Sequence, residues 1–347
     1  MNKTSFAALL IIVACYSCNA KKDEDKQTPV INKDSTVGKV EIYDINAASI
    51  IDSNATIEII SKNFNWSEGP LWIASKQMLL FSDVPENKIF QWKNGGTAKL
   101  FLTPSGYTDT AKRDGENGAN GLALDKDGRL LLCQSGNRCI ARLNTSLNSP
   151  KAAFTVLSAN YNGKRFNSPN DLVEDSKRNI FFTDPIYGLP KYENDPTREL
   201  NFEGVFKIDA AGKTTLLIDS IPRPNGVALS PDEKILYVAS SDNIKPRWYA
   251  YQLDNNRNIT SGGILLDAAP LKEKATIKQG PDGMKVDNNG NIFSAGPDGI
   301  NIISPQGKRL ALIKIYNRPA SNCAFNETKN ILYVTADDVI IKVKLHP

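Results

Sequence analysis

The stretch that decides the fold is NGVALSPDEKILYVAS, which runs from Asn225 to Ser240. It starts with a polar residue and an apolar run, passes through a turn at Pro231-Asp232-Glu233, and ends with a second apolar run. Two apolar runs joined by a short polar turn are typical of an antiparallel pair of buried strands. The sequence therefore predicts a β-hairpin that begins at Asn225, a residue with a side-chain oxygen.

Five further copies of this pattern occur along the chain. The residues that lead the six copies are Glu68, Asn120, Asn170, Asn225, Asp282 and Asn322. They lie 40 to 57 residues apart, and a regular period of this size is typical of propeller blades. We therefore predict an all-β fold, a six-bladed β-propeller with four antiparallel strands in each blade.

The six lead residues hold the same position in each predicted blade. Because the first strand of a blade lines the central channel, all six side chains are expected to face one axis. Two carboxylates and four amides would then form a ring of oxygen donors, which suits a divalent cation. A wide ring of oxygen ligands favours Ca²⁺, while Mg²⁺, Mn²⁺ and Zn²⁺ remain open as alternatives.

The composition excludes several classes of function. The net charge is only +4 and the basic residues form no runs, which argues against binding to nucleic acid. The chain has a single histidine, His346, at its penultimate position, so Ser-His-Asp sites, Cys-His sites and His-rich metal centres are not expected. Cys133, Cys139 and Cys323 are interpreted as small buried residues, although Cys133 and Cys139 could pair.

The N-terminus has the pattern of a bacterial lipoprotein signal. An apolar run from Phe6 to Ala14, too short to span a bilayer, is followed by Cys15 and then Cys18. We predict a signal peptide in residues 1–18, cleaved before Cys15 or Cys18, a flexible tether in residues 19–39 and the propeller in residues 40–347. The protein is then exported as a monomer and held at the cell envelope by a lipid anchor alone, with plain secretion as the alternative.

Ring closure and the loops give two further expectations. A strand at Val40–Tyr43 is expected to complete the sixth blade, because pairing the two ends of the chain removes an open sheet edge. The long loops at residues 104–119, 157–169 and 185–203 should lie on the face that carries the ring and build a pocket there.

Six short motifs surround the lead residues. They are Ser67-Glu68-Gly69-Pro70, Gly118-Ala119-Asn120-Gly121-Leu122, Ser168-Pro169-Asn170-Asp171-Leu172, Arg223-Pro224-Asn225-Gly226-Val227, Gly280-Pro281-Asp282-Gly283-Met284 and Pro319-Ala320-Ser321-Asn322-Cys323-Ala324. Together they resemble the motifs of the gluconolactonase-like family that also contains regucalcin (senescence marker protein). The resemblance extends from about Glu68 to the C-terminus, and it implies a six-bladed propeller with a calcium-type ion in its channel.

The resemblance also implies roles for individual residues. By motif position, Glu68, Asn170, Asn225 and Asp282 match the metal-site residues of the family, and Asp282 matches its general base. Candidate substrate-binding residues are the ring residues Asn120 and Asn322 together with Arg165 and Tyr187 from the long loops. In one place the chain departs from the family, since Gln134-Ser135 stands where related sequences often carry Glu-His.

These observations lead to three functional hypotheses. The first is a metal-dependent hydrolase that opens a small-molecule substrate, a sugar lactone, with the cation polarising its carbonyl group. The second is a surface-anchored propeller that binds sugars or acts as a scaffold and whose ion is structural. The third is a hydrolase of phosphotriesterase type that uses the same site.

Overall fold

The computed structural model describes residues 37–346. The predictions for the signal peptide, for Cys15 and Cys18 and for most of the tether lie outside these residues. Among the described residues no helix is long and apolar enough to cross a membrane.

Almost all regular structure is β-strand. In the first half of the chain the strands are β1 (Gly38–Ile42), β2 (Ile57–Lys62), β3 (Ser67–Ile73), β4 (Met78–Asp83), β5 (Lys88–Trp92), β6 (Lys99–Leu102), β7 (Ala119–Leu124), β8 (Leu130–Gln134), β9 (Cys139–Leu143), β10 (Phe154–Ser158), β11 (Asn160–Tyr161), β12 (Lys164–Arg165), β13 (Leu172–Glu174) and β14 (Ile180–Asp184). Short 3-10 helices lie at Ile45–Ser49, Ala74–Lys76 and Tyr192–Asn194.

The second half continues the same alternation of strands and turns. Its strands are β15 (Gly204–Ile208), β16 (Thr214–Ile218), β17 (Pro224–Leu229), β18 (Ile235–Ser240), β19 (Arg247–Leu253), β20 (Ile259–Asp267), β21 (Met284–Val286), β22 (Ile292–Gly296), β23 (Gly299–Ile303), β24 (Arg309–Ile315), β25 (Asn322–Phe325), β26 (Ile331–Ala336) and β27 (Val339–Lys344). One α-helix, α1 (Ala269–Lys274), follows β20.

Six antiparallel sheets form the six blades of a β-propeller, as the sequence predicted. Blades one to four contain β3–β6, β7–β10, β13–β16 and β17–β20, each in sequence order. Blade five contains β21–β24 with β1 as a fifth, outer strand. Blade six contains β25–β27 and is completed by β2. The small hairpin β11–β12 lies between blades two and three in the sequence.

The prediction that the strand at Val40–Tyr43 completes the sixth blade is wrong. This strand is β1, which pairs with β24 so that Val40 lies opposite Ile313. The sixth blade is closed by β2, in which Ile57 lies opposite Val343. Blades five and six each offer an unpaired outer edge, and the N-terminal chain covers both in turn, which satisfies the backbone hydrogen bonds of each edge. β1 begins at Gly38, two residues before the predicted start of the propeller.

The hydrophobic core lies between neighbouring blades. Phe182 and Phe206 of blade three stack with their ring centroids 5.3 Å apart and belong to one buried cluster with Leu131 and Ile140 of blade two. Because each sheet buries both faces, its central strands are buried along their whole length, as in β4 and β8. This explains why the second apolar run of each repeat shows no alternation.

The innermost strands of neighbouring blades approach closely near the axis. A methyl group added to Gly226 would lie 2.4 Å from the backbone oxygen of Asp282, and one added to Gly69 would lie 2.1 Å from that of Asn120. Such distances are too short for a carbon atom, so these positions require glycine. The glycine after a lead residue therefore lets the lead residues of adjacent blades meet.

This packing gives a stability prediction. Gly226→Ala should lower the free energy of unfolding by about 1–3 kcal/mol, because the added methyl group forces blades four and five apart. Gly263→Ala in β20 is the matched control, since an added methyl group there has no neighbour within 4 Å. Chemical denaturation of both variants checks the prediction, and equal stabilities would contradict the close contact of the inner strands.

Candidate active site

The six lead residues all lie at or next to the start of an innermost strand. Glu68, Asn120 and Asn225 are in the first two residues of β3, β7 and β17, Asn322 begins β25, and Asn170 and Asp282 come two residues before β13 and β21. Five of them are buried, and Asp282 is partly exposed. The six lead residues therefore occupy equivalent positions in the six blades, and the ring of oxygen donors that they would form stays a prediction.

Local strand irregularities accompany these positions. The pairing of β3, β7 and β17 with the next strand shifts between Glu68 and Leu71, between Ala119 and Leu122, and between Pro224 and Val227. A β-bulge turns a side chain away from the regular alternation of a strand. The shifts thus mark Glu68, Asn120 and Asn225 as positions where the side chains depart from the regular alternation of their strands.

Asn225 and Asp282 are connected through Ser241. The amide nitrogen of Asn225 donates to the Ser241 hydroxyl at 2.9 Å, and the Ser241 hydroxyl donates to the Pro281 carbonyl at 2.6 Å. The Asn225 side chain also lies close enough to the Asp282 carboxyl to lower its pKa. Because the amide nitrogen of Asn225 is used in this way, its carbonyl oxygen is left for a ligand.

Tyr187 lies beside the same group of residues. Burial, together with the nearby Asp282 charge, raises the pKa of its phenol, while the neighbouring Ser241 side chain acts in the opposite direction. The Arg223 guanidinium lies 5.6 Å from the centre of the Tyr187 ring, within cation–π range. The tyrosine predicted to bind substrate is thus next to the predicted catalytic residue, and it is neutral at physiological pH.

Glu68 and Asp282 share a poorly solvated environment. The Glu68 carboxylate accepts the Gly69 N–H at 2.9 Å and is only 3% exposed. Burial, followed by repulsion from Asp282, raises the pKa of Glu68. Burial also raises the pKa of Asp282, against the hydrogen bond from the Gly283 N–H. Two carboxylates in this situation resist simultaneous ionisation unless a positive charge joins them.

Two further acidic residues add to the negative charge. Asp171 and Glu116 each raise the pKa of both Glu68 and Asp282 by charge repulsion. Asp171 is buried and accepts the Leu172 N–H at 2.9 Å. Burial raises the pKa of Glu116 to about 7, while the charge of Arg113 and a hydrogen bond from Asn120 act in the opposite direction.

A lysine side chain compensates part of this negative charge. The Lys285 ammonium donates to the Asn322 amide oxygen at 3.4 Å, and its positive charge opposes the rise that burial causes in the pKa of Asp171. The Asn322 amide oxygen also accepts the Cys323 N–H at 2.8 Å, and the Asn322 side chain lies close enough to Asp171 to lower its pKa. Asn322 is therefore held in a network with Asp171 and Lys285, and its role in binding substrate stays a prediction.

The other predicted residues lie in different surroundings. Arg165 is exposed in the hairpin β11–β12, where its backbone N–H donates to Glu199 at 2.7 Å, and its role in substrate binding stays a prediction. The backbone N–H of His346 donates to the Ile50 carbonyl at 2.9 Å. Cys133, Cys139 and Cys323 are free and buried, so Cys133 and Cys139 do not pair.

The departure from the family pattern is accommodated in the interior. Gln134 and Ser135 are both fully buried. The Gln134 amide nitrogen donates to the Ser105 carbonyl at 2.9 Å, and the Ser135 hydroxyl donates to the Pro169 carbonyl at 2.9 Å. These two side chains hold the loops that surround the ring.

Sequence reasoning missed Glu116, Asp171 and Ser241. Glu116 and Ser241 lie in loops that share no period, so nothing in the sequence distinguishes them from ordinary polar loop residues. Asp171 was part of a motif, but its neighbour Asn170 had the lead position. A signal was available for Asp171, since it replaces the glycine or small residue that follows the lead residue in the other copies.

The types of side chain at this site determine which cation it could hold. Within residues 37–346, no group of three or more His, Cys, Asp or Glu side chains is arranged to hold a metal ion. The predicted ligand set has two carboxylates and two amides. Oxygen donors on four blades, and acidic residues that repel one another around them, fit a divalent cation with oxygen ligands.

The fold and this site define a six-bladed propeller with an acidic, oxygen-rich centre on its axis. Residues 66–338 match the family described as SMP-30/Gluconolactonase/LRE-like region. The chain therefore belongs to the SMP-30/gluconolactonase family, as its motifs suggested.

Several proteins are similar to this chain. A gluconolactonase from Zymomonas mobilis is 36% identical over 346 residues, which cover 97% of this chain and 95% of that protein. The structure of a gluconolactonase from Xanthomonas campestris aligns with a TM-score of 0.74 at 26% identity and covers 88% of this chain and 94% of that one. A calcium-binding protein, regucalcin, from Agrobacterium tumefaciens shares the fold with a TM-score of 0.63 at 14% identity, over 84% of this chain and 95% of that one.

The raised pKa values predict how stability depends on pH. Burial raises the pKa of Glu116 and that of Asp184 to about 7, whereas both groups titrate near pH 4 in an unfolded chain. Between about pH 4 and 7 the folded state then binds more protons than the unfolded state, so these groups lower stability as the pH rises. The melting temperature of chelator-treated protein should therefore be higher at about pH 5 than at about pH 8.

The variant Glu116→Gln isolates one of these groups. It should show a smaller fall in melting temperature over this range, whereas Asp114→Asn, an exposed change in the same loop, should follow the unchanged chain. An identical fall in all three proteins would contradict the assignment of a raised pKa to Glu116.

Proposed function

We propose that this protein is a metal-dependent lactonase that opens a sugar lactone at the end of its central channel. Support comes from its similarity to the gluconolactonase of Zymomonas mobilis over nearly the whole length of both chains. The observation that carries the proposal is the approach of Glu68 and Asp282 from separate blades, close enough that the charge of Asp282 raises the pKa of Glu68.

Four residues would hold the cation. Glu68 and Asp282 supply its negative charges, and Asn170 and Asn225 supply amide oxygens. When bound, a divalent cation polarises the lactone carbonyl and stabilises the negative charge that develops on its oxygen. Ca²⁺ is favoured because the donors are all oxygens on separate, fixed blades, and the regucalcin structure with the same fold is described as calcium-binding.

Asp282 is the residue that handles the attacking water. It is partly exposed to the channel mouth, whereas Glu68 is buried, so a water can reach it. The hydrogen bond from the Gly283 N–H at 3.0 Å orients its carboxylate. Held in this way, Asp282 orients the water and accepts one of its protons during attack on the carbonyl carbon.

The hydrolysis needs only the lactone and one water molecule. The new bond joins the water oxygen to the carbonyl carbon, and the bond from this carbon to the ring oxygen breaks. The proton taken by Asp282 ends on the ring oxygen, which becomes a hydroxyl group. The product is a hydroxy acid, and the carboxylate returns to its starting state.

Metal titration of two variants tests the separate roles of the carboxylates. Glu68→Gln should chiefly weaken metal affinity, so that high calcium concentration restores hydrolysis. Asp282→Asn should lower turnover by about 10²-fold or more even when calcium is saturating, because the proton acceptor is lost. The measurement is the rate of lactone hydrolysis as a function of free calcium after chelation.

Four outcomes would change this assignment. Full rescue of Asp282→Asn by calcium would show that Asp282 is a ligand and nothing more. Unchanged activity in both variants would remove the axial site from the mechanism. A panel of lactones, esters and phosphotriesters tests the substrate class, and turnover with phosphotriesters alone would show that this class is wrong. No turnover with any of them, together with a melting temperature that chelation lowers, would show that the ion is structural.

The N-terminal pattern supports a second part of the proposal, which concerns location. We infer that the chain is exported and anchored to the bacterial cell envelope through a lipid on Cys15 or Cys18. The support is the short apolar run that ends in a small residue and a cysteine.

Substitution of both cysteines tests the anchor. Cys15→Ser combined with Cys18→Ser should move the protein from the membrane fraction to the soluble fraction, because the acceptor of the lipid is lost. The single variants show which cysteine is acylated. A double variant that remains in the membrane fraction would contradict lipid anchoring.

A further inference from the structure

The loop between β6 and β7 places a carboxylate beside the ring of lead residues. Arg113 fixes this loop, since its guanidinium donates to the Glu116 carbonyl at 2.7 Å and to the Gly188 carbonyl in the loop between β14 and β15. At its ends the Tyr107 N–H donates to Asn117 at 2.6 Å and the Gly118 N–H donates to Val84 at 2.8 Å. Glu116 is therefore carried by an anchored loop.

Two buried side-chain oxygens, one in this loop and one at the start of β7, have no hydrogen-bond partner among the described residues. They are Oε2 of Glu116 and Oδ1 of Asn120. Glu116 lies four residues before Asn120 in the chain, the Asn120 side chain is close enough to the Glu116 carboxyl to lower its pKa, and Asn120 is only 3% exposed. Buried acceptors without donors are unfavourable, and two of them together indicate a ligand that brings donors of its own.

The charges around Glu116 favour hydroxyl groups over a second cation. The positive charge of the Arg113 guanidinium lowers the pKa of Glu116, and it would repel a divalent cation bound to the same carboxylate. Hydroxyl groups carry no charge and donate hydrogen bonds, so they satisfy both oxygens without this repulsion.

We propose that Glu116, together with Asn120, binds hydroxyl groups of the substrate and makes the site selective for polyhydroxylated lactones over unsubstituted ones. This inference rests on the proposed lactonase function and adds to it a residue that determines specificity. Glu116 lies in a loop beside the lead residues, so it binds the hydroxyl substituents of the lactone. It takes no part in cleavage of the ester bond.

The test compares two lactones of the same ring size. D-glucono-δ-lactone carries hydroxyl groups, and δ-valerolactone carries none. Glu116→Gln keeps the shape of the side chain but replaces one acceptor oxygen with an NH₂ group, which cannot accept from a hydroxyl. The matched control is Asp114→Asn, which removes the same charge from an exposed position of the same loop.

Glu116→Gln should lower kcat/KM for D-glucono-δ-lactone by about tenfold or more, mainly through KM, since a hydrogen bond to a charged acceptor is lost. For δ-valerolactone the change should stay within about twofold, and Asp114→Asn should change neither substrate by more than about twofold. Calcium affinity, measured by calorimetric titration without substrate, should be the same in all three proteins.

Each other result overturns the inference or the function on which it rests. An equal loss with both lactones would show that Glu116 acts on the reaction itself, and weaker calcium binding would show that it is a metal ligand. If the unchanged protein hydrolyses neither lactone, the proposed function fails. The affinity of each protein for the same two lactones, measured by calorimetry, then tests Glu116. If Glu116→Gln and Asp114→Asn prefer the hydroxylated lactone equally, Glu116 does not bind hydroxyl groups.

Discussion

The contact between the innermost strands of neighbouring blades is the constraint on which the rest of this structure depends. Hydroxyl groups on the second strands donate to backbone carbonyls of the next blade, as in Ser82 to Asn120 at 3.0 Å and Thr183 to Asn225 at 2.6 Å. Where blade six meets blade one, Ser321 donates to Ser67 at 2.6 Å. These bonds and the glycines beside them hold the backbones of the lead residues at fixed distances.

Precise placement of the ring has an electrostatic consequence. The fold brings Glu68, Glu116, Asp171 and Asp282 into a small volume with little solvent, where the pKa of each is raised. The packing of six blades supplies the stability that allows this concentration of like charges. The positive charges of Lys285 and Arg113 compensate part of this negative charge.

The loops around the ring are tied to one another and to the blades. Arg113 joins the loop before β7 to the loop after β14, and Ser241 joins Asn225 to the segment before β21. Tyr187 and Glu116 thus reach the site from two loops that support each other. Such support matters for a binding site, because a side chain on an unsupported loop would lose more entropy when it contacts a ligand.

The sequence by itself determined the number of blades and the ring of lead residues, because the same register recurs in six copies. It also indicated the family and the glycine positions. Only the tertiary structure decided that β1 pairs with blade five and β2 closes blade six, since both segments have strand patterns and the choice depends on which edges lie within reach. Glu116 and Ser241 emerged in the same way, because side chains in loops without a period gain their meaning from neighbours that are far away in the sequence.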